Sequence, residues 1–369
     1  MRCPEGLVSM ISKDLKYILS LFIGTRIALT SIGVLSRILL YPYHGKEYVW
    51  IYSNHLWLDI WGVWDSGWYL GIAKNGYIIT DLSTQSDFAF FPLYPLLMRT
   101  LGFVIGDNYI AGIIISNICL LVACVFLYKL ILLDADEDLA LRSVKCMFLF
   151  PTAFVLSGIF TESLFLALAL GCFYYARKGN WLLVGALGFG LSLTRSTGVI
   201  IILPMLYEYL KSKPINKDIL FMLLIPTGSS FWMAYNYLIT GDPLAFIHVQ
   251  AAWGRTLVNP LSVIYGGLTS PEVTPHFLAI FTIVSLALMI VFTKRIRPSY
   301  WFFGMCVLLI PLFTGLDSMP RYILGVFPLF IVLANMAKER QVDDVLTIFL
   351  ALLQGFLMVF WANGFPLIV

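Results

Sequence analysis

Long apolar runs separated by short polar segments follow one another along almost the whole chain. Runs of about 17–25 residues suit α-helices that cross a bilayer, whereas a membrane β-barrel would show short segments of alternating polarity. The pattern predicts an all-α polytopic membrane protein with eleven transmembrane helices. The predicted spans cover residues 16–40, 109–133, 142–159, 162–177, 181–194, 197–210, 218–239, 277–293, 299–316, 321–336 and 343–361.

Two long connections interrupt this series. The first covers residues 41–108 and the second covers residues 240–276. Both are aromatic and apolar, which is typical of interfacial segments packed on a helix bundle rather than of soluble domains. We therefore expect one membrane-embedded domain over residues 1–369.

Composition supports this class of protein. Hydrophobic residues make up 60% of the 369 residues and charged residues only 12%, which excludes an ordinary soluble domain. The first apolar run follows Lys13 and Lys16 and lacks a small-residue cleavage site, so we expect a first membrane helix rather than a signal peptide. The six cysteines fit neither a disulfide framework nor a metal site.

Basic residues set the expected orientation. Sixteen of the 24 cluster at alternate span ends, on the side that the positive-inside rule assigns to the cytoplasm. A crossing by the apolar segment 88–106 would invert this arrangement, and Pro92 and Pro95 interrupt it, so we expect a re-entrant or surface-lying element there. The N-terminus is then inside and the C-terminus outside. The outer face receives Asp65, Glu162, Arg195, Arg255 and Arg321.

The most distinctive segment covers residues 64–77 of the first connection. Asp65 precedes a helical pattern that places Trp64, Trp68 and Tyr69 on one face, and a glycine ends that pattern. Asp65 is thus predicted at the N-cap of a short amphipathic helix on the membrane surface. It is either a cap within an interfacial aromatic belt or a general base at the water–lipid boundary.

Three other outer-face charges each allow two interpretations. Glu162, after Thr161, either caps the fourth span or contacts a sugar hydroxyl. Arg195 lies among hydroxyl groups and either snorkels to the interface or binds a phosphate. Arg321 either pairs with Asp317 at i,i+4 spacing or is a phosphate ligand.

Other candidates carry weaker signals. Arg255, beside Trp253, lies in a connection too irregular to place it. Segment 90–95 contains two prolines and is either a broken membrane segment or a brace for an outer-face element.

Several further carboxylates lie near Asp65 in the sequence. Asp59 is an alternative candidate for the general base. Asp59, Asp81 and Asp87 could also bind a divalent metal ion, although solvation of the loop and helix capping are their expected roles. The histidines show no metal-ligand spacing. The sequence has no glycine-rich phosphate loop, so a membrane enzyme of glycosyl transfer would require a lipid-linked donor.

Five blocks in order along the chain resemble the PIG-V-like family of mannosyltransferases, relatives of GPI mannosyltransferase II. These blocks are residues 64–77, 89–95, 161–165, 193–198 and 320–322. The resemblance covers about residues 15–335 and implies the GT-C fold, a multi-span helix bundle with a large first outer loop. It also implies that Asp65 is the catalytic aspartate and that the donor is a polyprenyl (dolichyl)-phosphate-linked mannose.

The implied reaction inverts the anomeric carbon. Asp65 deprotonates an acceptor hydroxyl, and Arg195 and Arg321 meet the charge on the departing phosphate. The expected partners are membrane lipids, the lipid-linked donor and a lipid-linked or glycan acceptor, with no nucleic acid and no certain cofactor. The expected location is the cell membrane of a prokaryote or the endoplasmic reticulum of a eukaryote. Additional contacts to donor or substrate are expected from Glu162, Arg255, Trp64, Trp68 and Tyr69.

Two other classes of protein remain as alternatives. A transporter or flippase could bind lipid phosphates through the same arginines, but such proteins often show inverted repeats and midplane charges. The sequence shows no clear repeat, and its charges fall at one boundary. The third class is a partner subunit that has no activity of its own. The presence of Asp65, the expected catalytic carboxylate, argues against it.

Overall fold

The computed structural model describes residues 5–40, 51–78, 82–212 and 214–368. Every regular element in these residues is a helix. Part of the first connection, residues 41–50 and 79–81 with Asp81, lies outside the described residues. In the first half the helices are α1 (Glu5–Leu39), α2 (Leu56–Asp59), α3 (Ser66–Asn75), α4 (Leu93–Ile105), α5 (Asn108–Ile131), α6 (Glu137–Leu149), α7 (Glu162–Arg177), α8 (Trp181–Ser192) and α9 (Ile202–Ser212).

The second half continues in the same way. Its helices are α10 (Leu224–Thr240), α11 (Ala245–His248), α12 (Pro260–Thr269), α13 (Val273–Val291), α14 (Pro298–Leu312), α15 (Met319–Leu324), α16 (Pro328–Met336) and α17 (Arg340–Ala362). Short 3₁₀ turns join or extend them at Asp87–Ala89, Ala153–Ser157, Ser196–Ile201, Lys217–Leu223, Val249–Trp253 and Thr293–Arg295.

Helices of the described residues fall on every predicted span, but fewer are long enough to cross a bilayer alone. Five are sufficiently long and apolar: Lys13–Leu39, Asn108–Ile131, Lys217–Thr240, Val273–Val291 and Arg340–Ala362. They support an integral membrane protein, whereas the expected set of eleven continuous spans is replaced in part by shorter helices.

Prolines explain two of these departures. Within the predicted span 142–159, the α-helix ends at Leu149, two residues before Pro151. The predicted span 321–336 is divided into α15 and α16, and Pro328 is the first residue of the second. Proline lacks the amide hydrogen that a continuous helix needs and disfavours helical geometry in the residue before it.

Helix α4 accounts for the ambiguous apolar segment after residue 88. It has 13 residues, about 20 Å at 1.5 Å per residue, which is too short for a bilayer core of about 30 Å. Phe103 is 91% exposed and Val104 76% exposed at its far end. A short helix with an exposed apolar end suits a surface-lying or re-entrant element better than a crossing.

Helix α7 lies at the centre of the bundle and is buried along most of its length against α5 and α8. Glu162 is its first residue and Arg177 its last. Its 16 residues make it about 24 Å long, so these two charges lie at opposite ends of the molecule's core. Each end carries its own cluster of polar side chains.

Candidate active site

Four of the predicted charges form one connected network at the first end of α7. Arg321 donates from Nη1 to Asp65 Oδ2 at 2.7 Å and from Nε to Glu162 Oε1 at 3.2 Å. Arg195 Nη1 lies 3.1 Å from the same Glu162 oxygen. Residues that are as much as 256 positions apart in the sequence therefore meet in one site.

Asp65 begins helix α3, as predicted, but its side chain does not cap that helix. Its backbone is helical, with φ −60° and ψ −9°, whereas a capping residue ordinarily has extended geometry. The carboxylate points instead to Arg321 and retains 23% side-chain exposure. The capping interpretation of this side chain is therefore wrong.

Backbone contacts bring the start of α3 close to the start of α7. The Ser66 hydroxyl donates to the carbonyl of Ile159 at 3.4 Å, and the Ile159 amide donates to the carbonyl of Trp61 at 3.2 Å. Trp64, directly before Asp65, has a positive φ of 53°. That conformation is costly for a bulky residue, so the surrounding packing must impose the turn that presents Asp65.

A second residue with positive φ precedes the helix that carries Arg321. Ser318, just before α15, has φ 63°, and among the described residues it and Trp64 are the only non-glycine residues with positive φ. Strained backbone of this kind is often retained at functional sites. Arg321 pairs with Asp65 and Glu162 rather than with Asp317, so the predicted i,i+4 pair is wrong.

Glu162 is 0% exposed and anchors two arginines. The Thr161 side chain does not cap α7, so that part of the helix-end interpretation is wrong, whereas Glu162 lies in the first turn of α7 as that interpretation predicted. Thr161 Oγ1 and Glu162 Oε2 are buried and have no hydrogen-bond partner among the described residues. Buried polar atoms are nearly always satisfied, so a water molecule or a ligand hydroxyl is expected here.

Arg255 joins the site from the second long connection, which sequence reasoning could not place. It donates to the Tyr322 hydroxyl at 2.8 Å and to Ser318 Oγ at 3.2 Å. The guanidinium of Arg195 stacks on the Tyr322 ring at 4.8 Å. Tyr322, which the sequence analysis did not select as a site residue, thus orients two arginines; its only signal was its place in the block 320–322.

The charges of the site do not cancel. Arg195 and Arg321 are paired with Glu162 and Asp65. The hydrogen-bond partners of Arg255 among the described residues are neutral: Tyr322, Ser318 and Gln250. The site therefore has one uncompensated positive charge, which favours an anionic ligand.

Aromatic side chains line the approach to Asp65. Trp68 stacks on Phe90 with ring centroids 5.6 Å apart and contacts Trp253 edge-on at 5.7 Å. It borders an open cavity of about 500 Å³ that Tyr52 and Gln85 also line. Of the three aromatic candidates, Trp68 is the one that lines this cavity.

The other two aromatic candidates lie deeper. Tyr69 is buried and packs edge-on against Phe90 and Tyr94. Its burial raises the pKa of the phenol, so the Tyr69 hydroxyl stays neutral. Trp64 is half-buried and packs against the core.

Segment 90–95 makes two hydrogen bonds to neighbouring segments, and the choice between its two interpretations stays open. Tyr77 donates its hydroxyl to the carbonyl of Phe90 at 2.8 Å. The Leu93 amide donates to the carbonyl of Leu193 at 3.0 Å, two residues before Arg195. The start of α4 therefore holds the end of α8 and the arginine that follows.

The rival base Asp59 belongs to a structural contact. It is buried, forms an ion pair with Arg37 of α1, and accepts the amide hydrogens of Tyr52 and Ser53 at 2.7 and 2.9 Å. Asp87 accepts the Ile78 amide at 3.3 Å, and burial raises its pKa. Within the described ranges, no group of three or more His, Cys, Asp or Glu side chains could hold a metal ion.

Comparison with known proteins identifies the family. A family model described as Mannosyltransferase (PIG-V) matches residues 9–212, just over half of the 369-residue chain. No curated protein matches the sequence.

Solved structures with some similarity include the oligosaccharyltransferase of Archaeoglobus fulgidus. With an acceptor peptide tethered by a disulfide bond, it has a TM-score of 0.45 and 14% identity, covering 94% of this chain and 55% of that one. The same enzyme in complex with an inhibitory peptide and a dolichol-phosphate has a TM-score of 0.45 and 15% identity. That match covers 94% of this chain and 56% of the other. The present chain thus spans just over half the length of these proteins.

Two independent observations now agree on the identity of the protein. The family match covers the segments that carry Asp65, Glu162 and Arg195. The helices are long and apolar enough for a membrane enzyme. This chain belongs to the Mannosyltransferase (PIG-V) family.

Proposed function

We propose that this enzyme transfers mannose from a polyprenyl-phosphate-linked donor to a hydroxyl of a lipid-linked or glycan acceptor. The observation that carries the proposal is the network of Asp65, Arg321, Glu162 and Arg195, with Arg255 beside it as an uncompensated cation. It offers one accessible carboxylate for a proton and a positive surface for a phosphate. The proposed fold is a GT-C-type bundle.

Asp65 is the proposed general base. Of the two carboxylates in the network, Asp65 retains 23% side-chain exposure and Glu162 has none, so Asp65 is the one that an acceptor can reach. Its bond to Arg321 involves Oδ2. An acceptor hydroxyl needs to lie about 3 Å from such a base.

The arginines are proposed to receive the donor phosphate. Arg255 has no acidic partner among the described residues and is the expected ground-state contact. As the acceptor oxygen attacks the anomeric carbon, its proton moves to Asp65 and the bonding electrons of the departing group move to the phosphate. Once Asp65 is protonated, it no longer neutralises Arg321. The positive charge of Arg321 then stabilises the departing phosphate.

The proposed orientation follows the basic residues. Most of them fall in segments that join the predicted spans on the Arg177 side, so the positive-inside rule favours an extracytoplasmic position for the Asp65 end. Compared with eukaryotic members of the family the chain is compact, which favours a lipid or glycan acceptor other than GPI. A flippase remains a weaker alternative, because its charges would be expected near the bilayer midplane.

A transfer assay tests the donor and the base together. Membranes with the wild-type protein should release labelled mannose from polyprenyl-phosphate mannose to an acceptor, and Asp65→Asn should lower the rate by about 10²–10⁴-fold at normal expression. The reason is that asparagine keeps the shape of the side chain but cannot take the proton.

Controls separate the alternatives. Asp59→Asn should lower the yield of folded protein but leave the transfer rate of the folded fraction unchanged. A short-chain donor added to sealed right-side-out vesicles should be used without detergent if the site faces outward. Near-native transfer by Asp65→Asn would show that another group is the base, and lipid movement without mannose transfer would identify a flippase.

A further inference from the structure

A second polar cluster lies at the opposite end of α7 from Asp65. Arg177, the last residue of α7, pairs with Asp134 at 2.5 Å. Arg297, just before α14, donates to the two carboxylate oxygens of Glu208 at 2.6 and 2.8 Å. These four charges satisfy one another, about 24 Å from the active site along α7.

An open pocket of about 350 Å³ borders this cluster. Its lining combines cations with apolar side chains, which include Ile131 and Ile331. Asp134 is the only acidic residue in the lining, and Arg177 already neutralises it. The cations in the lining are Lys211, Lys294, Arg295 and Arg297.

Three of these cations lack a counter-charge. Among the described residues, neither Lys211 nor Lys294 nor Arg295 forms an ion pair, whereas Arg297 does. Lys211 Nζ lies 5.8 Å from the Tyr207 ring, and the Arg295 guanidinium lies 5.5 Å from the Phe292 ring. Among the described residues, the pocket therefore combines cations without a counter-charge, here called the positive rim, with apolar side chains, here called the apolar wall.

We propose that this pocket binds the phosphate of an anionic membrane phospholipid. The rim would contact the phosphate, and the apolar wall would accommodate the first part of the acyl chains. Four basic residues line the pocket at this end of the bundle, and the positive-inside rule then favours a position for the rim at headgroup level of the cytoplasmic leaflet. Basic pockets between membrane helices on that side are suited to acidic headgroups.

Lipid binding to the full-length protein tests this proposal. Native mass spectrometry should show that phosphatidylglycerol binds the wild type more tightly than phosphatidylcholine does. The double variant K294Q/R295Q should lose about thirtyfold in affinity for phosphatidylglycerol, because two surface cations near the phosphate are removed. The charge-conserving variant K294R/R295K should bind like the wild type, which shows that a loss is due to charge.

A matched control removes the same charge elsewhere on the same end. Lys338 and Arg340 are exposed and lie outside the pocket lining, so K338Q/R340Q should keep wild-type binding. Equal losses in both double variants would indicate general surface attraction and overturn the proposal. Binding of inorganic phosphate as tight as that of phosphatidylglycerol would overturn it as well, since the ligand would then be free phosphate.

Discussion

The two acidic residues of the active site differ through burial. Asp65 and Glu162 both contact Arg321, yet only Asp65 reaches the surface. A buried carboxylate that neutralises two guanidinium groups stabilises the site, whereas an accessible one can exchange a proton with a substrate. The sequence indicated both as candidates, but burial assigns them separate roles.

Glu162→Gln should destabilise the protein more than Asp65→Asn does. The substitution removes the buried negative charge that Arg195 and Arg321 share. Breaking a buried ion pair typically lowers the free energy of unfolding by about 3–5 kcal/mol. Thermal unfolding of the purified variants measures this difference. The exposed Asp317→Asn is the control and should unfold like the wild type, and equal stability of all three variants would contradict the anchoring role of Glu162.

Individual pairings could not be read from the sequence. Asp317 and Arg321 have ideal helical spacing, yet Arg321 pairs with carboxylates 256 and 159 positions away. Arg255 was the weakest candidate because the chain around it is irregular, and it is the cation without an acidic partner among the described residues. Local patterns report on neighbours along a helix, whereas these contacts depend on tertiary packing.

At the scale of elements, the sequence predicted helices well where apolar periodicity is uninterrupted. The span 162–177 coincides with α7, and the helix after Asp65 ends at Asn75, just before Gly76. Prolines divided the predicted span 321–336. The positive φ of Trp64 and of Ser318 has no sequence signal, because nothing local favours it in these residue types.

The turn after Arg195 depends on a close approach to α8. A Cβ on Gly198 would lie 2.1 Å from the carbonyl oxygen of Leu191, which a shift of the backbone must relieve. Gly198→Ala should therefore cost about 1–3 kcal/mol of stability and reduce mannose transfer, since Arg195 begins the displaced turn.

Gly190→Ala is the matched control on α8. The nearest atom to its added Cβ is 3.5 Å away, an ordinary contact, so stability and transfer should stay near wild type. Thermal unfolding and the transfer assay measure both properties. Normal behaviour of Gly198→Ala would show that the turn is not held by this contact.

At the scale of the whole molecule, α7 separates two charged regions with different chemistry. The end at Glu162 has strained turns, an accessible carboxylate and an uncompensated arginine. The end at Arg177 has a self-neutralised network with a cationic rim. The basic clusters in the sequence predict that the Arg177 end faces the cytoplasm, and that orientation stays a prediction.

The most direct test of the central claim is a structure with a non-cleavable polyprenyl-phosphate mannose analogue bound. We expect the phosphate at about 3 Å from Arg255. The anomeric carbon should face Asp65 at about 4–6 Å, which leaves room for one acceptor oxygen between them. An anomeric carbon that faces Asp59, or a donor bound away from Asp65, would contradict the account.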